Sequence, residues 1–181
     1  VSQQLWDSSD AKGGMAAGDK YLTAGTLYVA KFNQDGTGEW LELNASNTGG
    51  MSQAEICLYT RIAADRAGAT KMDRPEWGTV DPTTGMVYFT LTNNNTSNRN
   101  LDTLDAANPR TDEDPNGRTG NVNGHIIRWR EFGDRADATG FDFDVFLFGA
   151  RAADDANINV SELTAEQDFS SPDGIWSDKR G

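Results

Sequence analysis

The feature that most constrains this chain is a succession of short strand patterns separated by turn signals, with one helical pattern among them. The strand patterns lie at 26–32, 39–43, 77–80, 86–92, 125–130 and 141–148, and residues 174–177 have the start of another. Between the first two, Asp35-Gly36 predicts a hairpin, because this pair readily supplies the positive φ angles of a tight turn. Short strands at such intervals predict a mainly β fold, whereas a parallel α/β fold would need several helices.

The helical pattern covers residues 51–67. Its apolar side chains follow a 3.6-residue period, at Ile56, Tyr59, Ile62, Ala63 and Ala67. Ser52 and Glu55 have the spacing of a capping box, and Gly68 is a suitable end for the helix. The sequence therefore predicts one helix inserted into a β architecture.

A long polar stretch, 93–124, lacks apolar periodicity and predicts a functional or irregular loop. Residues 112–117 match the opening of a calcium-binding EF-hand loop, but Asn123 stands where a bidentate Glu is expected and no helical pattern flanks the stretch. A polar loop is therefore the favoured interpretation. His125 opens a strand, where a structural role is favoured over that of a general base.

Two segments, starting at Pro75 and at Pro172, share the order Pro, acid, four residues, Asp, a short gap and Gly. The two prolines are 97 residues apart, which is about two propeller repeats of roughly 40–50 residues. In a propeller, equivalent positions of different blades face one central channel. The acids, Glu76 and Asp173, are therefore predicted to converge at strand mouths, meaning the strand ends that open onto the channel.

Two carboxylates that converge in a closed site repel each other unless they are protonated or bridged by a cation. The repeat therefore favours a metal between Glu76 and Asp173, while solvated acids in a repeated turn stay open as the alternative. Three asparagines, Asn93, Asn94 and Asn95, follow a strand end near the same presumed channel. One of their amide oxygens is a candidate calcium contact.

Composition excludes several classes of protein. Sixteen Lys and Arg against 28 Asp and Glu give a net charge of −12, which argues against a nucleic-acid partner and against an anionic membrane surface. No segment approaches the roughly 20 apolar residues of a membrane helix. The single cysteine, Cys57, excludes an internal disulfide, and residues 1–25 lack the pattern of a signal peptide.

Several short motifs follow one another along the chain. They are Glu55-Ile-Cys57, Ala63-Ala-Asp-Arg66, Met72-Asp-Arg-Pro-Glu-Trp77, Thr90-Leu-Thr-Asn-Asn94, Ala107-Asn-Pro-Arg110, Gly124-His-Ile-Ile-Arg-Trp129 and Ser171-Pro-Asp-Gly174. Together they resemble the PhoX-type alkaline phosphatases, in collinear order and over nearly the whole chain. The block from Cys57 to Trp77 is the most specific part of the resemblance.

The resemblance implies a six-bladed β-propeller that hydrolyses phosphate monoesters at an iron–calcium cluster, with a cysteine thiolate among the iron ligands. Carried over by motif, Cys57 is the candidate iron ligand and Glu76 the next metal ligand. Asp173 follows from its equivalent place in the repeat. The chemistry is coherent, because a soft thiolate suits a transition metal and carboxylates suit calcium.

Members of that family are considerably longer than 181 residues. The resemblance therefore implies that residues 1–181 are an incomplete propeller domain, truncated at both ends and inactive alone, from a periplasmic or secreted enzyme. Two other functions stay open. One is a calcium-binding propeller module without catalysis, and the other is a propeller hydrolase of the lactonase type.

Overall fold

A computed structural model describes residues 7–22, 24–94, 104–110, 112–113 and 119–178. The chain divides into two compact units. The first draws on Val1–Lys31 and Trp40–Ala69, and the second draws on Phe32–Glu39 and Thr70–Gly181. Among the helices of the described part, none is long and apolar enough to cross a membrane.

The first unit begins with helical structure that the sequence did not predict. A 3-10 helix covers Ser8–Lys12, and helix α1 covers Gly14–Leu22. They are joined by polar contacts, in which the Lys20 ammonium and the Tyr21 hydroxyl both donate to Asp10 Oδ2 at 2.6 Å. Such contacts leave no apolar period in the sequence, which explains why the sequence carries no helical signal here.

The predicted helix over 51–67 is two helices, α2 at Gln53–Leu58 and α3 at Thr60–Ala67. The chain leaves helical geometry at Tyr59, with φ of −114° and ψ of 42°. The predicted capping box is present, and its hydrogen bonds from Ser52 lower the pKa of Glu55. Helix α3 ends at Gly68, as predicted.

The break at Tyr59 changes which side chains are buried. Ile56 and Ala63 lie in a buried cluster with Leu43 and Met51, while Leu27, Val29 and Ala67 pack against it. Tyr59 and Ile62 are 51% and 46% exposed, so the single apolar face predicted from the 3.6-residue period is wrong at these two positions. Two short helices with a break do not share one continuous face.

The main sheet has six strands, which are β1 at Tyr28–Phe32, β2 at Thr37–Glu42, β3 at Pro75–Val80, β4 at Val87–Leu91, β7 at His125–Glu131 and β8 at Gly140–Phe148. Their order in the sheet is β1-β2-β8-β7-β4-β3. Two short strands, β5 at Asp112–Glu113 and β6 at Thr119–Gly120, form a separate pair. The prediction of a mainly β chain is confirmed.

Strands β3, β4, β7 and β8 are successive antiparallel neighbours, with Leu91 opposite His125 and His125 opposite Phe148. This is the arrangement of a four-stranded propeller blade. Proline has no N–H to give to a ladder, which suits Pro75 to the first position of β3. The strand predicted at 174–177 is wrong, because 172–178 has no regular secondary structure.

Aromatic rings pack on one face of the second unit's sheet. The Phe32 ring lies edge-on to Phe141 and Phe143, with ring centroids 5.2 and 4.7 Å apart. Gly38 is the strand partner of Phe141, and the Phe141 ring occupies the space that a Cβ on Gly38 would need. Glycine is required there because of this close approach and not because of its backbone angles.

We expect Gly38→Ala to lower the free energy of unfolding by about 1–3 kcal/mol, the usual cost of overpacking a core. Gly18→Ala is the matched control, because Gly18 lies in α1 and a Cβ there meets nothing within 4 Å. That control should be neutral or stabilising by up to about 1 kcal/mol. Urea denaturation measures both, and equal effects of the two substitutions would contradict this account of Gly38.

Candidate functional site

The start of β3 and the end of β4 are neighbours, and a third segment joins them there. Pro75 is the strand partner of Leu91, and the Thr92 amide donates to the Arg74 carbonyl at 3.1 Å. Residues 171–173 run past the end of β4. Their contacts are Asn93 Nδ2 to Ser171 Oγ at 2.9 Å, Thr92 Oγ1 to the Pro172 carbonyl at 2.9 Å, and Thr90 Oγ1 to the Asp173 carbonyl at 2.8 Å.

We call the five residues at this place the strand-mouth cluster: Arg74, Glu76, Asn93, Ser171 and Asp173. At its centre, Arg74 Nη1 donates to Asn93 Oδ1 at 2.8 Å, and Arg74 Nη2 lies 3.6 Å from Glu76 Oε1. The Arg74 side chain is 52% exposed, so the guanidinium is open to solvent on one side.

Two members of the cluster have strained backbones. Arg74 has a φ of 52° and Ser171 a φ of 53°, in the left-handed region that residues other than glycine rarely adopt. Each such residue costs on the order of 1–3 kcal/mol, and strain of this kind concentrates at functional sites. The strained backbone and the charged side chains are therefore found in the same cluster.

Glu76 and Asp173 are both exposed, and the segments that carry them both lie beside β4. The convergence of the two carboxylates stays a prediction. The Thr90 hydroxyl accepts from the Trp77 amide at 3.0 Å and is 2.8 Å from the Asp173 carbonyl, so one side chain contacts both segments. The two segments differ in form, since Glu76 lies in β3 and Asp173 in an irregular stretch. Metal binding by these carboxylates stays a prediction.

Cys57 lies in α2, in the first unit, and its thiol is exposed. Gln53 Nε2 is 3.5 Å from the sulfur, one helical turn before it. The Thr60 hydroxyl is within 3.0 Å of the Ile56 and Cys57 carbonyls, where the helix breaks. An exposed thiol is accessible to a metal, and its role as an iron ligand stays a prediction.

Within the described residues, no three His, Cys, Asp or Glu side chains lie close enough together to hold a metal ion. The chemistry of the donors nevertheless suits the implied metals, since carboxylates match calcium and a thiolate matches iron. The side chains present would thus supply part of a ligand set. Asn93 is bound to Arg74, Asn94 is buried, and Asn95 lies outside the described residues, as do residues 114–118 of the EF-hand-like stretch.

A buried polar network lies next to the strand-mouth cluster, and the sequence reasoning missed it. Asp73 Oδ1 accepts from Asn94 Nδ2 at 2.8 Å, and Asp73 Oδ2 accepts from Asn121 Nδ2 at 3.1 Å. The Asn121 carbonyl oxygen, Oδ1, in turn accepts from the Arg110 guanidinium at 3.2 Å. Asp73, Asn94 and Arg110 all belong to the motifs quoted above. Their place in these motifs was the one sign in the sequence that they act together.

His125 completes the network and has the structural role that was favoured for it. It is fully buried, with Nε2 2.7 Å from the Ala107 carbonyl and Nδ1 2.7 Å from Asn121 Nδ2. A carbonyl oxygen can only accept, so the network assigns the proton to Nε2 and leaves Nδ1 to accept from Asn121. Both ring nitrogens are therefore engaged, and the ring bridges two loops.

The chain is similar to known proteins. A family model described as "Alkaline phosphatase PhoX" matches residues 7–181. This chain belongs to the PhoX alkaline phosphatase family. A solved structure of Pseudomonas fluorescens PhoX, in complex with vanadate, a transition state analogue, is similar at 35% sequence identity with a TM-score of 0.78.

The chain is covered completely by that match, and it spans 32% of the Pseudomonas chain. No curated protein matches. The family resemblance and the mainly β, propeller-type fold are confirmed. The comparison concerns about a third of the larger protein, so it does not by itself assign activity to these 181 residues.

We expect Arg74→Asn to change the free energy of unfolding by less than about 1 kcal/mol. Asparagine tolerates the left-handed region, and the relief of strain offsets the loss of a half-exposed ion pair and one hydrogen bond. Arg128→Asn is the matched control, because Arg128 pairs with Asp144 from a regular strand and no strain is relieved. A loss of 2 kcal/mol or more in Arg74→Asn, which urea denaturation would reveal, contradicts the assignment of strain.

Proposed function

We propose that this chain is part of a metal-dependent alkaline phosphatase that hydrolyses phosphate monoesters. The observation that carries the proposal is the strand-mouth cluster, in which the strained Arg74 lies beside the Glu76 carboxylate in the most specific motif of the resemblance. The relative in complex with vanadate, a transition state analogue, supports the same reaction. The net charge of −12 supports the exclusion of nucleic-acid and membrane partners.

Glu76 and Asp173 would hold calcium through their carboxylates, and Cys57 would hold iron through its thiolate. When bound, these metals supply positive charge for the phosphate oxygens and activate an oxygen nucleophile. Glu76 has a second task in the structure, because its carboxylate also lies beside the Arg74 guanidinium. It would therefore link the cation site to the arginine.

Arg74 is the candidate phosphate-binding side chain that the sequence analysis overlooked. A guanidinium has five N–H donors in a planar fork, which matches the oxygens of a phosphoryl group. Asn93 and Glu76 contact its two terminal nitrogens and hold it in place. Its exposed side would stabilise the negative charge that develops on the transferred group.

Residues 1–181 would form one incomplete propeller domain, because the chain spans 32% of the related structure. The remaining metal and phosphate ligands would come from sequence outside it, and the 181 residues would be inactive alone. Export to the periplasm or the exterior belongs to the proposal as a property of the family. A calcium-binding module without catalysis is the second candidate, because carboxylates such as those of Glu76 and Asp173 suit calcium without a transition metal beside it.

Elemental analysis of the full-length protein separates these two functions. Iron together with calcium, and turnover of p-nitrophenyl phosphate, are expected for the phosphatase. Calcium alone, with no turnover, would indicate the binding module. A lactone assayed in parallel tests the lactonase-type alternative.

For the metal ligands, we expect Cys57→Ala to remove iron and to lower kcat for p-nitrophenyl phosphate at least a hundredfold. Gln53→Ala is the matched control, since it alters the contact to the same sulfur without removing the thiol. Glu76→Gln and Asp173→Asn should lower calcium content in the same way. Unchanged iron content and unchanged turnover in Cys57→Ala would show that Cys57 is not an iron ligand. The calcium content of Glu76→Gln and Asp173→Asn would still test the two carboxylates.

For the phosphate-binding side chain, Arg74→Ala should lower kcat by about 10²–10³, the usual effect of removing one charge-stabilising donor. Inhibition by vanadate should also weaken in Arg74→Ala. Arg74→Lys should retain only part of the wild-type kcat and only part of the inhibition by vanadate. Arg128→Ala, on the same sheet and paired with Asp144, should leave both unchanged. Equal kinetics in Arg74→Ala and Arg128→Ala would show that Arg74 does not meet the substrate.

A further inference from the structure

We propose that Asp73 is a positioning residue for the strand-mouth cluster. Its buried side chain would hold the tight turn that directs Arg74 outward and that leads into Glu76. The proposal rests on the proposed phosphatase function, because it concerns the geometry of that same site. It adds a residue that never meets the substrate and acts through its neighbour.

The turn itself is compact and pinned on both sides of Arg74. The Arg74 amide donates to the Met72 carbonyl at 2.9 Å, which closes a three-residue turn around Asp73. The Arg74 carbonyl accepts from the Thr92 amide, at the end of β4. Asp73 is fully buried and Arg74 is half-exposed, so consecutive side chains point to the interior and to the cluster.

Three separate segments hold Asp73 from the interior. Its carboxylate accepts from Asn94 after β4 and from Asn121 before β7, at 2.8 and 3.1 Å. Its amide donates to Asn108 Oδ1 at 2.8 Å. Because these groups are buried, a shift of Asp73 would leave polar atoms unpaired away from water, which is strongly unfavourable.

The donors that face Asp73 are themselves oriented. Asn121 could present either its oxygen or its nitrogen to Asp73, but its oxygen is taken by Arg110 and its nitrogen also faces His125 Nδ1. His125 is oriented in turn by the Ala107 carbonyl. The amide nitrogen of Asn121 therefore points at the carboxylate, and the turn has one well-defined position.

The strained backbone of Arg74 depends on the turn being held in this position. A residue with a φ of 52° relaxes unless its surroundings over-determine it, and the surroundings here are the bonds to Asp73 and to the Arg74 main chain. If the carboxylate were replaced by a group with a mismatched donor, the turn would relax. The guanidinium would then move relative to Asn93 and Glu76.

The test is Asp73→Asn in the full-length protein, which keeps the shape but places an NH₂ against the amide donor of Asn94 or Asn121. We expect kcat for p-nitrophenyl phosphate to fall at least tenfold and the inhibition constant of inorganic phosphate to rise at least threefold. Asp73→Asn combined with Asn94→Asp exchanges the amide and the carboxylate of this pair. The new amide at position 73 can then donate to the carboxylate at position 94, while its oxygen still accepts from Asn121. This double variant should recover most of both quantities.

Two controls separate positioning from stability. Gly38→Ala destabilises the sheet elsewhere and should leave kcat per folded molecule and phosphate inhibition unchanged. Asp144→Asn makes the same chemical change at the exposed Arg128 pair and should leave both unchanged too. If Asp73→Asn loses only stability, as Gly38→Ala does, or if the double variant recovers nothing, the positioning role is overturned.

A measurement without turnover keeps the inference distinct from the proposed function. The backbone amide resonance of Arg74 should shift in Asp73→Asn and return in the double variant. An inactive wild-type protein would overturn the phosphatase proposal while this resonance still reports on the turn. An unmoved Arg74 resonance in Asp73→Asn would overturn the positioning role whatever the wild-type activity.

Discussion

The second unit depends on the satisfaction of a buried carboxylate. A carboxylate removed from water is tolerated only where hydrogen bonds replace its solvation, and those of Asp73 come from Asn94 and Asn121, which are far apart in sequence. Satisfying it brings the end of β4 and the stretch before β7 to one place, and the Asp73 amide holds the loop at 104–110 there by donating to Asn108. Gly124 permits this approach, because its φ is 71° and a Cβ there would collide with the Leu91 and Thr92 carbonyls.

The strand-mouth cluster is the outer side of the same arrangement. One turn directs Asp73 inward and Arg74 outward, so the polar interior and the charged surface are set by the same backbone. The net charge of −12 suggested a poor partner for an anion. At the site, the half-exposed Arg74 guanidinium and any cations bound to carboxylates would nevertheless attract an anion. The nearest charges, and not the net charge, set the electric field there.

Local signals in the sequence were sufficient for much of the fold. The hairpin at Asp35-Gly36, the capping box at Ser52 and the four strands of the blade depend on neighbouring residues, and the structure has them. The failures involve contacts between distant residues. Helix α1 has no apolar period, Tyr59 interrupts a periodic stretch, and residues 174–177 have strand-like composition without a ladder. At the candidate site, the repeat predicted Glu76 and Asp173 as metal ligands, which stays a prediction, and it carried no indication of Arg74.

By itself, the sequence determined the family and the mainly β class, because motifs and alternating patterns are local properties of a chain. Only the tertiary structure decided which polar motif residues are buried and which face solvent. Asp73, Arg74 and Glu76 are close together in the sequence and all are charged. Their different roles arise because hydrogen-bond partners from other segments are available on one side of the turn, and solvent is available on the other.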